Sequence, residues 1–307
     1  MTDRQHRGRA MNRFMIGQPG CFDDAKYERD FRKDFYGIEA LIFESESEID
    51  KLIAISQRDK LNIGIHFPLR KWVSKHRDPQ FLSKDDTVRN EFYQLMEEEF
   101  EYLIRVKPKY VLFHYPKPVI LDDNVDWSSW RFADSSEYVF ESTYSFEMLK
   151  EKSEYLFEWL TDKAIKYDFT PILEFDALNK YIYKTNFLEE LLDKYPKVKL
   201  CLDTGRLNFQ DRIDKSFDAR QVIKKFAKYA EVIHLCNTKV STTLDKHHYP
   251  ALPSLSPEEG WPPIEEYMKI INQENKHAKI MFEHMSQLIS DEELQSCYEW
   301  IAGMIKE

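Results

Sequence analysis

The sequence predicts a closed (β/α)8 TIM barrel, and three observations carry the expectation. Short apolar runs alternate with helical patterns from Met11 onward in the 307-residue chain, which is the signature of repeated βα units. The units number eight. Six of the runs, at 62–68 (NIGIHFP), 110–116 (YVLFHYP), 171–176 (PILEFD), 199–205 (KLCLDTG), 232–237 (VIHLCN) and 279–284 (KIMFEH), each close on a side chain that can bind a metal or move a proton. Those residues are His66, His114, Glu174, Asp203, His234 and Glu283. One charge at the end of a buried strand is ordinary, but six imply a place where strand ends converge, and a parallel barrel provides it at its carboxyl-terminal rim.

The two remaining strands are read at 13–16 and 37–43, and helices near 24–35, 47–58, 88–105, 144–167, 186–194, 217–230, 263–274 and 291–305. The third helix has the clearest period, with Phe92, Leu95, Met96, Phe100, Leu103 and Ile104 on one face; the last repeats it with Leu294, Cys297, Trp300, Ile301, Met304 and Ile305. Strand side chains alternate between faces, so the six polar residues set the inward phase. Gly64, Leu112, Ile172, Cys201, Val232 and Met281, two residues earlier, should then fill the barrel, while Leu173, Leu202 and Ile233 face the helices.

A composition of 42% hydrophobic and 14% aromatic residues supports a buried core. No apolar stretch is long enough to span a bilayer, so no membrane partner is expected. The opening decapeptide MTDRQHRGRA is basic and is followed by no signal-type apolar region. Residues 1–10 are read as a disordered basic extension, 11–307 as one barrel domain, and the location as cytoplasmic. Four cysteines, Cys21, Cys201, Cys236 and Cys297, show no CxxC spacing and are expected reduced. A formal charge of −10 argues against a large nucleic-acid footprint, without bearing on a local patch. Self-association is compatible with this reading.

Glu174, Asp203, His234 and Glu283 converging in one pocket would offer mixed oxygen and nitrogen donors suited to Mn, Co, Zn, Fe or Mg. Without a cation their carboxylates would repel and one would take up a proton. His66 and His114 each precede an aromatic and a proline, so an imidazole bonded to the turn backbone stands beside a ligand role. Two long loops, 68–87 with Arg70, Lys71, Trp72, Lys75, His76 and Arg77, and 116–142 with Asp122, Asp123, Asp126, Trp127 and Trp130, should hang over the same mouth. Trp72, Trp127 and Trp130 would close over a ligand as a lid or pack against the barrel.

The ordered series LEFD, LCLDTG, VIHL and MFE resembles the xylose isomerase-like barrel superfamily, which includes sugar isomerases, sugar epimerases and endonuclease IV. The resemblance runs from Met11 nearly to the end. It implies that Glu174, Asp203, His234 and Glu283 hold one divalent metal, and that Glu174 and Glu283 act as acid and base on a sugar, sugar acid or sugar phosphate through an enediolate. Its rival implication is an endonuclease IV-like phosphodiester hydrolase of abasic DNA, with two or three ions. His66 and His114 match two early histidine positions of that set, and Asp245 and His247 resemble a later pair, though a solvated loop reads equally well there. Arg206 stands where these relatives place a histidine. Arginine cannot ligate a metal, but it can grip a carboxylate or phosphate on the substrate. A barrel that binds metal and ligand without turnover is a third reading. The expected partner is a small sugar-like molecule.

Overall fold

The computed structural model describes residues 10–74, 76–241 and 244–305. Residues 1–9 of the expected basic extension, and Lys75 of the first long loop, lie outside them. Eight strands close a parallel barrel. They are β1 (Phe14–Pro19), β2 (Gly37–Leu41), β3 (Asn62–His66), β4 (Tyr110–Tyr115), β5 (Thr170–Phe175), β6 (Lys199–Asp203), β7 (Ala230–Leu235) and β8 (Lys279–Phe282). Each pairs with its neighbours in sequence, and β1 pairs with both β2 and β8 to close the ring. Among the described residues no helix is long and apolar enough to cross a membrane.

The inward phase is as expected. Met15, Tyr110, Leu112, Ile172, Cys201, Val232 and Met281 form a core inside the barrel, separate from the larger core between strands and helices that holds Leu173, Leu202 and Ile233. Gly64 also points inward, and its missing side chain leaves the space that the Tyr110 ring fills. The Tyr110 hydroxyl then donates to Glu39 Oε2 at 2.5 Å, so a carboxylate from β2 lies fully buried within the barrel.

The helices differ from the expected ranges mainly at their ends. The first stops at Asp30, because Phe31 turns extended at ψ 141°. The helix expected at 217–230 runs only Ala219–Phe226 before tightening into a 3₁₀ turn at Ala227–Tyr229. Two helices and two strand pairs fall outside the expected elements. Helix Thr204–Ile213 starts directly at the end of β6, because the Asp203 carboxylate accepts from Gly205 N at 2.7 Å and Arg206 N at 3.0 Å and caps it. A short helix spans Lys180–Tyr183; Val119–Leu121 pairs in parallel with Tyr138–Phe140 inside the second long loop; and Asn237–Val240 pairs antiparallel with Leu244–Tyr249 after β7.

Replacing Gly64 by alanine should destabilise the fold by about 1–3 kcal/mol, the usual cost of overpacking, because a Cβ there collides with the Tyr110 ring. Denaturant unfolding should show a lower midpoint at unchanged slope; a midpoint equal to that of the parent would disprove the packing account.

Candidate metal centre

Strand register brings the polar ends together. His114 on β4 lies beside Glu174 on β5, and Asp203 on β6 beside His234 on β7. Glu174, 1% exposed, sits at the middle. Its Oε2 is 3.2 Å from both His66 Nε2 and His114 Nε2, and its Oε1 is 3.2 Å from His234 Nδ1. His234 Nδ1 lies 3.5 Å from Glu283 Oε2. The donor atoms of Glu174, Asp203, His234 and Glu283 all fall within 4.8 Å of one another, and His66, His114 and Glu174 form a second such group sharing Glu174.

Each of the three histidines is held from behind. His234 Nε2 donates to Glu39 at 3.1 Å, His114 Nδ1 to Asp78 Oδ1 at 2.6 Å and His66 Nδ1 to the Phe67 carbonyl at 3.1 Å. The turn-backbone bond expected for His66 is present on one ring nitrogen, while the other faces Glu174. An outward acceptor that fixes the tautomer and aims the opposite lone pair inward is the usual support of a metal-binding imidazole.

The unsatisfied atoms point the same way. Both Glu174 oxygens, His234 Nδ1 and Glu283 Oε2 are buried with no hydrogen-bond partner. An orphaned buried polar atom costs on the order of 1–3 kcal/mol, and more when charged, so four together call for a further cation. Burial and repulsion from the Glu283 and Glu174 carboxylates push Asp203 up to about 6. Burial also opposes ionisation of Glu174, but the neighbouring His234 and His114 rings outweigh it and hold its carboxyl well below the usual range. A divalent ion fits the four-donor group on both counts.

The second group is differently placed. Arg206 leaves the first turn of helix Thr204–Ile213 and reaches back, Nη1 donating to Asp176 Oδ1 at 3.0 Å and Nη2 to His114 Nε2 at 3.0 Å. Its guanidinium thus occupies the lone pair that an ion between His66 and His114 would need. Lys117, 2% exposed, is anchored beneath by Asp176 at 2.8 Å and Asp78 at 3.1 Å, and Trp130 Nε1 donates to Asp176 at 3.2 Å.

Other expected residues lie farther out. Asp245 is exposed, accepts from Ser241 Oγ at 3.1 Å and belongs to no candidate donor group among the described residues. His247 lines a cavity but joins no donor group either; its neighbour His248 does, with Nδ1 3.8 Å from Glu283 Oε2. Trp72 is 49% exposed, whereas Trp127 and Trp130 are buried, Trp130 stacked on Phe209 with centroids 5.2 Å apart. The latter pair forms a wall rather than a free lid. In the basic loop, Arg70 pairs with Glu99 and Lys71 with Glu44, leaving Arg77 exposed at the mouth.

Two cavities open there and meet at Arg77 and His248. The smaller, of about 290 Å³, is walled by Asp203, Arg206, Trp130, Arg131 and His247; the larger, of about 690 Å³, by Glu283, His284, Lys26 and Arg29. Glu174 lines neither. Sequence reasoning missed Glu39, Asp78, Lys117, Asp176 and His248 as parts of the site. Asp176 shares the strand phase of Glu174, and Glu39 is an acid inside an apolar strand, so both left a signal. Asp78 left none.

No family model and no curated protein matches the sequence. Solved structures do, over nearly the whole chain. A D-tagatose 3-epimerase-like protein superposes with TM-score 0.62 at 14% identity, covering 94% of this chain and 98% of its own. An AP endonuclease, family 2, from Brucella melitensis gives 0.55 at 14%, covering 92% and 96%. The IOLI protein with a bound zinc atom gives 0.54 at 12%, covering 95% and 97%. The fold shared with them is the (β/α)8 TIM barrel.

The Asp203 carboxyl sets a pH signature. Below its unfolded pKa, near 4, it is neutral in both states and costs nothing; as pH rises through about 6 it must ionise among Glu174 and Glu283, and stability is lost. Chelator-treated Asp203→Asn should therefore be more stable than the parent above about pH 6, by about 3 kcal/mol at most from a shift of roughly two pKa units, with the gap closing toward pH 4. Saturating divalent ion should reverse the order, because only the parent gains full binding energy. Unfolding curves between pH 4 and 8 that run parallel for the two proteins would refute the assignment.

Proposed function

We propose that the chain is a divalent-metal-dependent isomerase or epimerase of a small sugar-like hydroxy-carbonyl compound. The convergence of Glu174, Asp203, His234 and Glu283, with four of their donor atoms buried and unpartnered, is the observation that supports it most. These four residues would hold one ion, with Glu39 orienting His234. When bound, such an ion polarises a carbonyl and an adjacent hydroxyl and acidifies the C–H between them.

The remaining work falls to side chains. Glu283, whose side chain is 24% exposed and faces the larger cavity, is placed to take a proton from that carbon and return it. Glu174 lies under the three histidines, so in this reading it serves as ligand, and the acid–base role expected for it passes to Glu283 alone. A single base returns the proton to the face it came from, which favours transfer between adjacent carbons over inversion at one carbon. Arg206 and the exposed Arg77 and Arg131, all lining the smaller cavity, suit an anionic substituent such as a carboxylate or phosphate.

The hydrolase reading draws on the second donor group, His66, His114 and Glu174. Arg206 donates to the His114 lone pair at 3.0 Å, and two cations of the basic loop, Arg70 and Lys71, are paired with Glu99 and Glu44, so this reading is the weaker.

Protein prepared without chelator should carry metal that Glu174→Gln and Asp203→Asn lose; unchanged metal content in both would defeat the shared site. Incubated in D₂O with a panel of ketoses and keto acids, the protein should exchange a carbon-bound proton, and Glu283→Gln should slow this by about 10²–10⁴-fold. For the hydrolase, nicking of an abasic duplex is the measurement, and salt-sensitive binding with cleavage would favour it over the isomerase.

A further inference from the structure

We propose that Cys236, His248 and Glu283 form a second metal site containing sulfur, joined to the four-donor group through Glu283 and selective for thiophilic divalent ions such as zinc and cobalt. The sharing of Glu283 rests on the metal reading above; the sulfur chemistry does not. Donor atoms of the three residues lie within 4.8 Å of one another. They come from three separate places: the residue after β7, the strand Leu244–Tyr249, and the residue after β8.

Each is held toward the common point. Cys236 is 2% exposed yet lines the smaller cavity, where its thiol donates to Asp203 Oδ1 across a long 3.6 Å. Room for its sulfur comes from Gly205, where a Cβ would approach Sγ to 2.8 Å. His248 adopts left-handed backbone, φ +47°, and is tied to the segment after β8 by Met285 N donating to its carbonyl at 2.8 Å and by its own Nδ1 donating to the Glu283 carbonyl at 3.2 Å. The ring therefore stands against Glu283 where the two cavities meet. Glu283 Oε2, with no hydrogen-bond partner, lies 3.5 Å from His234 Nδ1 and 3.8 Å from His248 Nδ1; because that Nδ1 carries the hydrogen donated to the Glu283 carbonyl, Nε2 is the nitrogen of His248 left with a lone pair for an ion. Glu283 Oε2 is the oxygen that two ions could share.

Three protein donors of sulfur, nitrogen and oxygen beside an open cavity match the ligand number of catalytic rather than structural zinc sites. Thiolate ligation disfavours Mg and Mn relative to Zn and Co. Binding replaces the thiol hydrogen by the metal, and the proton leaves to solvent.

Cobalt(II) is the probe, titrated into full-length protein freed of metal by chelation. Two ions per chain are expected, with a sulfur-to-cobalt charge-transfer band growing as the second binds. Cys236→Ser should bind one ion without the band; His248→Gln, at a half-exposed position, should weaken the second ion by at least about tenfold while leaving the first. One ion and no band in the parent protein would overturn the sulfur site yet leave the four-donor site standing. A band that accompanies a single ion would assign the sulfur to that ion, and a band that survives Cys236→Ser would assign it to Cys201; either outcome overturns the proposal. Binding of no ion would remove both sites.

Discussion

One buried carboxylate organises the mouth of this barrel. Glu174 is fully enclosed, both its oxygens lack a hydrogen-bond donor, and three imidazoles approach it to 3.2 Å without bonding to it. Protein interiors seldom leave a charge in that condition, since its desolvation is repaid only by a paired cation. The surrounding structure maintains the arrangement: Glu39, Asp78 and the Phe67 carbonyl each bind the far nitrogen of one histidine and so keep its near nitrogen turned inward. Tyr110 holds Glu39, and Gly64 makes room for Tyr110. The chain of dependence thus runs from a missing side chain in the barrel core up to the rim.

One cation is present beside Glu174, and the metal reading would add a second. Arg206 supplies a permanent one from the side of His114 and Asp176, and a divalent ion would supply the other from the side of His234 and Glu283. A guanidinium donates hydrogen bonds but accepts none and coordinates no metal ion. Where it reaches the His114 lone pair it substitutes for an ion in charge while offering no Lewis acidity. Its Nε also lies 3.5 Å from Asp203 Oδ2 and 3.7 Å from Glu174 Oε1, so the guanidinium borders both donor groups while blocking only the His114 lone pair.

Much of this architecture was legible in the sequence, for a definable reason. Alternation along a strand has a period of two, so a polar residue at 174, 203 or 234 also assigns Ile172, Cys201 and Val232 to the barrel interior, and the structure places them there. Residues at the ends of strands inherit their position from that regular ladder. Residues on loops do not. Asp78, Lys117 and His248 reach the site through turns whose course no periodicity records, and His248 displaced its neighbour His247 because its left-handed backbone breaks the alternation of its strand. The two tryptophans of the second loop were visible as aromatic, but whether they close over a cavity or pack behind it depends on Phe209, which belongs to a helix that an aspartate cap begins without any apolar period.

The same distinction bears on the chemistry. Glu174 and Glu283 are alike in sequence, each an acid at the end of an apolar run, and pattern alone assigns them equivalent parts. Their surroundings make them unequal: one is sealed among three histidines, while the other opens on a cavity and faces a histidine from the strand Leu244–Tyr249. A pair of bases on opposite faces requires both carboxylates to reach the substrate, and an enclosed one cannot without displacing the rings above it. Geometry therefore separates an enclosed carboxylate from an accessible one in two residues of identical type. It also groups Cys236 and His248 with the accessible carboxylate, so any second ion held there would act on Glu283 itself, lowering its basicity while fixing its orientation.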